Sequence, residues 1–215
     1  MMFARLFSLI TASSIGLSAA HAAAVPFDGA WKEQGFLRLW TNDYSFRGRQ
    51  LDIVSDGTVS LVWRPVEGAL RDATRAMWRW RVTEGVTPTD LTRKGGDDRN
   101  LALYFVFVDE STAAGLSGGN ARQLLGNPNT RALIYVWGGS HAQGAILPSP
   151  YHPGLRTKVL RTSGEGTFSE SVDLAADYRR AFGSAPGVLV GLGISSDSDD
   201  TDGRVRASIA ELQLN

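Results

Sequence analysis

The residues with the plainest chemical character stand near the C-terminus. Asp197, Asp199, Asp200 and Asp202 crowd four carboxylates into six residues, and Gly203 closes the run. A hard cation relieves such repulsion, and Ca²⁺ takes oxygen ligands from flexible loops. The run therefore predicts a structural calcium site. Asp97 and Asp98, at another junction of loop and strand, would complete it if the two strands are neighbours. The EF-hand pattern is not met: with Ser198 in the first position, the twelfth is Ile209 rather than Glu. The alternative is a solvated turn in which the Asp side chains bond their own backbone, with Arg204 and Arg206 close by to neutralise it.

A second group of residues suits recognition of a saccharide. Trp78, Trp80, Tyr104, Tyr135 and Trp137 fall on predicted strands. On an exposed sheet face such rings stack on sugars, and Arg79 and Asp98 offer contacts to hydroxyls. The expected ligand-binding set is Arg79, Trp80, Asp98, Tyr135 and Trp137. The alternative is that these large rings fill the core, where each buries much apolar surface. Alternation along a strand separates its two faces without saying which is inside. Gly191 and Gly193 leave room on one face of their strand, either for a ligand or for a Trp of the opposite sheet.

Catalytic sets are thin, and the expected role is non-catalytic. The chain has no Cys, which removes disulfides, thiolate metal sites and a Cys nucleophile. Gly115-Leu116-Ser117-Gly118-Gly119 matches G-x-S-x-G but lacks the strand–turn–helix setting of a nucleophile elbow. His141 and His152 lie in a Gly- and Pro-bearing loop, and with Asp98 make only a weak metal set. Paired carboxylates for glycoside cleavage, Asp98 with Glu170 or Asp197, would have to face each other across a cleft. Neither a P-loop nor a Rossmann fingerprint occurs.

The elements that must position these groups read as strands. Gln50–Ser55 and Thr58–Arg64 alternate around Asp56-Gly57, a two-residue hairpin signal. Met77–Val82 is a clean period-two strand. Leu101–Val108 and Ala132–Trp137 are apolar on both faces, as central strands are. Thr157–Thr162 and Thr167–Val172 flank the Ser163–Gly166 turn. Val188–Ile194 and Arg204–Leu214 read as a closing hairpin around the acidic run, with a change of phase that a β-bulge at Ile209–Ala210 would absorb. A short helical turn is expected near Ala121–Leu125. One helix is well signalled: Asp173 as N-cap, an apolar stripe of Leu174, Tyr178, Ala181 and Phe182, Arg179 and Arg180 in the last turn, and Gly183 as terminator. The expected architecture is an all-β jelly-roll sandwich, like a carbohydrate-binding module, with one short peripheral helix.

With 215 residues, 22 basic against 22 acidic, and no basic stripe, the chain excludes a nucleic-acid binder. Arg5, the apolar run Leu6–Ala20 and Ala20-His21-Ala22 form a secretory signal peptide. The expectation is cleavage after Ala22, no membrane span thereafter, and a single domain over residues 23–215 in the periplasm.

Several pieces together resemble a known family. They are Trp78-Arg79-Trp80, Gly96-Asp97-Asp98, Tyr135-Val136-Trp137, Asp177-Tyr178-Arg179-Arg180-Ala181-Phe182-Gly183 and Asp197-Ser198-Asp199-Asp200-Thr201. In order and spacing the chain resembles a bacterial family of exported proteins, domain of unknown function 3047. The resemblance implies a jelly-roll sandwich and no assigned activity. That family's acidic run more often reads D-x-D-N-T, so Asp200 adds a charge where an amide is usual. The leading expectation is a periplasmic module that binds a saccharide or similar polar ligand. Its alternatives are an Asp/Glu-dependent polysaccharide-processing enzyme and a structural or partner-binding envelope protein.

Overall fold

The computed structural model describes residues 22–35, 41–116, 124 and 126–215. The expected signal peptide up to His21, the Ser of the G-x-S-x-G stretch and most of the helical turn expected at Ala121–Leu125 lie outside the described residues. In chain order the strands are β1 (Ala23–Ala24), β2 (Lys32–Gly35), β3 (Asp43–Phe46), β4 (Gln50–Asp56), β5 (Val59–Pro65), β6 (Arg75–Glu84), β7 (Arg99–Val108), β8 (Arg131–Trp137), β9 (Ile146–Pro148), β10 (Leu155–Arg161), β11 (Gly166–Asp173), β12 (Val188–Asp197) and β13 (Arg204–Leu214). Helix α1 spans Glu110–Gly115 and α2 spans Leu174–Phe182.

The strands form two stacked sheets, a sandwich of jelly-roll type. One runs β11-β6-β13-β4-β3, with β1 added along β13; the other runs β2-β5-β12-β7-β8-β10-β9. Pairing is antiparallel except for β8 with β10. As the doubly apolar pattern predicts, β7 and β8 lie inside the seven-stranded sheet, with β12 on the other side of β7. The peripheral helix α2 forms as read: Asp173 Oδ1 accepts from Ala176 N at 2.7 Å, and Gly183 ends the helix in the left-handed region. Helix α1 has the same kind of start, with Asp109 accepting from Thr112 N, and had no counterpart in the sequence reading.

Three of the expected hairpins are not hairpins. β4 and β5 lie in different sheets, as do β10 and β11, and β12 and β13. The short turns at Asp56–Thr58, Thr162–Glu165 and Ser198–Gly203 carry the chain from one sheet over the edge to the other. Both strands of such an arch present their apolar faces to the same core, so their alternation matches that of a hairpin. Two of the arches are tied together, by Ser198 N to Thr58 O at 3.1 Å and Gly57 N to Gly203 O at 3.0 Å. The phase change in β13 occurs just beyond the expected place, between Ala210 and Gln213, with Glu211 at φ 57.

The core between the sheets is rich in rings. Trp78 from the six-stranded sheet lies 5.7 Å from Tyr135 of the other, and Trp80 lies 5.6 Å from Trp137. Two of its ring polar atoms are paired: Tyr135 Oη donates to Asp177 Oδ2 at 2.9 Å, and Trp80 Nε1 donates to Glu170 Oε1 at 2.9 Å. Among the described residues, no helix is long and apolar enough to cross a membrane.

Candidate functional site

The outer face of the seven-stranded sheet is also apolar. Val59, Leu61 and Trp63 of β5, Tyr104 and Val106 of β7, Ala132 and Ile134 of β8, and Leu155 of β10 form the floor of a cleft of about 500 Å³. Its walls are the loop carrying Leu91 and Gly95 and the loop from Ser149 to His152. The doubly apolar strands explain it: one face packs the core and the other faces the cleft. Trp63 fits here because Gly191, on the adjoining β12, has no side chain. A Cβ at Gly191 would lie 1.5 Å from the Trp63 ring. The glycine thus makes room for a Trp of the same sheet, not for one of the opposite sheet.

One end of the cleft is charged. β12 pairs with β7 so that Asp197 stands opposite Arg99. The Arg99 guanidinium donates from Nη1 to Asp97 Oδ2 and to Asp197 Oδ2, each at 3.1 Å, and from Nη2 to the Tyr104 hydroxyl at 3.0 Å. The Tyr104 hydroxyl also meets Ser195 Oγ at 3.1 Å. From the wall, the Tyr151 hydroxyl donates to Asp97 Oδ1 at 2.6 Å, although 55 % of Tyr151 is exposed. Burial and the adjacent Asp97 carboxylate push the Tyr151 phenol up, so it remains a donor at neutral pH. Burial also pushes the Asp197 carboxyl up to about 8; Arg99 opposes the shift, and Asp199 and Asp98 add to it.

Behind this end, the acidic run folds over Asp98. Asp98 is fully buried and accepts from Asp200 N at 3.2 Å and from Thr201 N and Oγ1 at 2.8 and 2.6 Å. One oxygen each of Asp98, Asp197 and Asp199 lie within 4.8 Å of one another. Of the two residues expected to complete the acidic run, Asp98 meets it, because β7 and β12 are neighbours, while Asp97 is linked to Asp197 through Arg99.

A family model described as "Protein of unknown function (DUF3047)" matches residues 29–213. The chain belongs to the DUF3047 family. No curated protein matches it. Among solved structures it is similar to the xyloglucanase domain of NopAA from Sinorhizobium fredii, in complex with cellobiose, at 10 % identity and TM-score 0.46 over 86 % of this chain and 92 % of that one. It is also similar to the family 11 xylanase from Neocallimastix patriciarum, at 12 % identity and TM-score 0.45 over 91 % and 94 %. A third similar structure is a cellulase derived from Cel12A of Rhodothermus marinus, at 10 % identity and TM-score 0.45 over 90 % and 99 %.

The residues expected to bind ligand are dispersed in this DUF3047 protein. Trp80, Tyr135 and Trp137 are each 1 % exposed or less and belong to the inter-sheet core. They point inward because β6 and β8 turn their larger apolar residues to the facing sheet, where ring-to-ring packing is available. Arg79 lies on the outer face of the six-stranded sheet, beside Glu211 at 3.6 Å. Asp98 serves the crossover turn. Of the residues expected to hold calcium, Asp197 and Asp199 meet Asp98, Asp200 donates its backbone N–H to Asp98, and Asp202 is exposed at φ 46. The histidines do not converge: His141 Nε2 lies 3.3 Å from Asp90, and His152 Nδ1 accepts from Gly154 N. Glu170 is engaged by Arg161 and Trp80 and is not part of the cleft lining. The sequence reading missed Trp63, Arg99 and Tyr151. The signal for Trp63 was the outward-facing apolar set on β5, β7 and β8; Arg99 and Tyr151 had none.

Proposed function

We propose that this DUF3047 protein is an exported, periplasmic binding module whose outer-face cleft takes a saccharide or a similar ligand with one apolar face and a polar rim. The observation that carries the reading is the cleft itself. Its volume, about 500 Å³, is in the range of small-ligand sites. Its floor is apolar and includes the rings of Trp63 and Tyr104, against which the C–H face of a sugar packs. Its charged end gathers the Arg99 guanidinium, the Tyr104 and Tyr151 hydroxyls and the Asp97 carboxylate, a mixed set of donors and acceptors that suits hydroxyl groups.

Binding fits the geometry better than cleavage. A glycoside-cleaving pair must leave space for the scissile bond between its carboxyl groups. Asp98, expected to pair with Glu170 or Asp197, is fully buried beneath the crossover turn and is not part of the cleft lining. Asp97 and Asp197, which are, share Arg99 Nη1, so the guanidinium occupies the space between them.

The test is calorimetric titration of the protein with a panel of soluble oligosaccharides, repeated with Trp63→Ala and Tyr151→Ala. Saturable binding to one glycan class, weakened in both variants and retained in Arg79→Ala, supports the reading. Binding that survives both cleft substitutions, or a panel without heat, rejects it.

A further inference from the structure

We propose that Asp98, Asp197 and Asp199 form a site for one hard divalent cation, calcium by preference, where the crossover from β12 meets the charged end of the cleft. The inference stands apart from the saccharide reading and relocates the calcium site that the acidic run suggests.

The three ligand oxygens lie within 4.8 Å of one another. Ca²⁺ holds its oxygens at about 2.3–2.6 Å, so oxygens on opposite sides of one ion are about 5 Å apart. The spacing is that of a single shared ion. Two of the three carboxylates are almost fully buried, Asp98 at 0 % and Asp197 at 6 % exposure. Buried carboxylates need opposite charge or several donors; Asp98 has its three donors from Asp200 and Thr201, whereas Asp197 shares the Arg99 guanidinium with Asp97. Arg99 reaches only Asp197 Oδ2; Asp197 Oδ1 is buried and has no hydrogen-bond partner. That oxygen belongs to a side chain only 9 % exposed, and a buried acceptor left open beside two further carboxylates offers itself to a cation.

The oxygen-only donor set selects a hard ion over zinc or copper. No Cys occurs in the chain, and His141 and His152 are engaged elsewhere. Asp98 is pre-positioned for the role, since its two oxygens are fixed by donors from Asp200 and Thr201. Asp197 and Asp199 also line the cleft, so an ion on them borders the ligand space.

The test uses the purified protein, stripped with EDTA, dialysed and titrated with CaCl₂ by calorimetry and with TbCl₃ by luminescence. MgCl₂ serves as comparison, and the runs contain no glycan. The expected result is one saturable Ca²⁺ site per chain and a Ca²⁺-dependent rise in the thermal midpoint. Asp199→Asn is expected to weaken binding at least tenfold, and Asp202→Asn to leave it unchanged. The proposal is overturned if the wild-type protein shows no saturable Ca²⁺ isotherm, or if Asp202→Asn abolishes binding while Asp199→Asn preserves it. Magnesium binding without calcium binding also overturns it. Should Asp199→Asn fail to fold, the wild-type isotherm and Asp98→Asn decide by the same criteria.

Discussion

Asp98 and Thr201 stand 103 residues apart in the chain and are joined by two hydrogen bonds, from the Thr201 backbone N–H and from its hydroxyl to Asp98 Oδ2. A third bond runs from Asp200 N to Asp98 Oδ1. A carboxylate buried before β7 thereby holds the arch that follows β12. Asp98→Ala removes the charged acceptor of all three bonds, at an expected cost of about 3 kcal/mol. Asp98→Asn keeps one carbonyl acceptor and is expected to cost less. Thr201→Val removes only the hydroxyl, with an expected loss of about 1.5 kcal/mol. Urea midpoints measured in EDTA check the order. Equal stability of Asp98→Ala and wild type would show that the arch holds without these bonds.

The cleft depends on one missing side chain. With the Trp63 ring 1.5 Å from where a Gly191 Cβ would stand, Gly191→Ala forces the indole away from β12. The open direction is the cleft. Overpacking of this kind costs about 1–3 kcal/mol. The expected outcome is a moderately destabilised protein with altered Trp fluorescence and lost ligand binding. Wild-type affinity in Gly191→Ala would mean that the ligand does not use the floor beside Trp63.

Rings of the core and rings of the cleft separate by their response. Tyr135 donates to Asp177, which Lys158 also holds at 2.7 and 2.8 Å. Tyr135→Phe is expected to cost about 1–2 kcal/mol and to leave ligand affinity unchanged. Lys158→Met, which leaves the buried Asp177 charge without its cation, is expected to cost about 3–5 kcal/mol. Tyr104→Phe removes the hydroxyl that meets Arg99 and Ser195, and is expected to lower affinity more than stability. Paired calorimetry and urea unfolding distinguish the two behaviours. A Tyr135→Phe protein that folds normally and binds nothing would put the site in the core.

What could be read from the chain alone was local. The caps of α2, the interior placement of β7 and β8 and the acidic crowding near Asp197 depend on residues close in sequence, and the structure carries all three. What could not be read needed partners far apart. A two-residue turn such as Asp56-Gly57 serves a hairpin or an arch equally well, because both keep the period-two pattern. The same pattern put Trp80 and Trp137 on a face without saying that the face was internal. The pairing of Asp197 with Arg99 arises from the register of β12 on β7. Tyr151 reaches Asp97 from a loop whose composition announces nothing. The apolar outer faces of β7 and β8 were legible. Their meaning was not, because the same pattern describes strands covered on both sides.

The start of α1 provides a pH test. Asp109 accepts from the Ser111 hydroxyl and from the backbone and hydroxyl of Thr112, and these bonds lower its carboxyl to about 2. A carboxyl lowered on folding adds stability above its unfolded value, 3.8, and loses it as pH falls through about 2. Asp109→Asn removes that titration while keeping an oxygen acceptor for the cap. Helix α1 contributes Ala113 to the same apolar cluster as Trp63, so loosening of its first turn is expected to reach the cleft floor. The expected outcome is a wild-type protein whose stability and Trp emission change between pH 4 and 2 more steeply than those of Asp109→Asn. Because Asp109 is exposed, the difference is expected to be small and to shrink further in salt. Identical acid limbs in the two proteins would mean that the cap does not carry its lowered titration into the stability of α1.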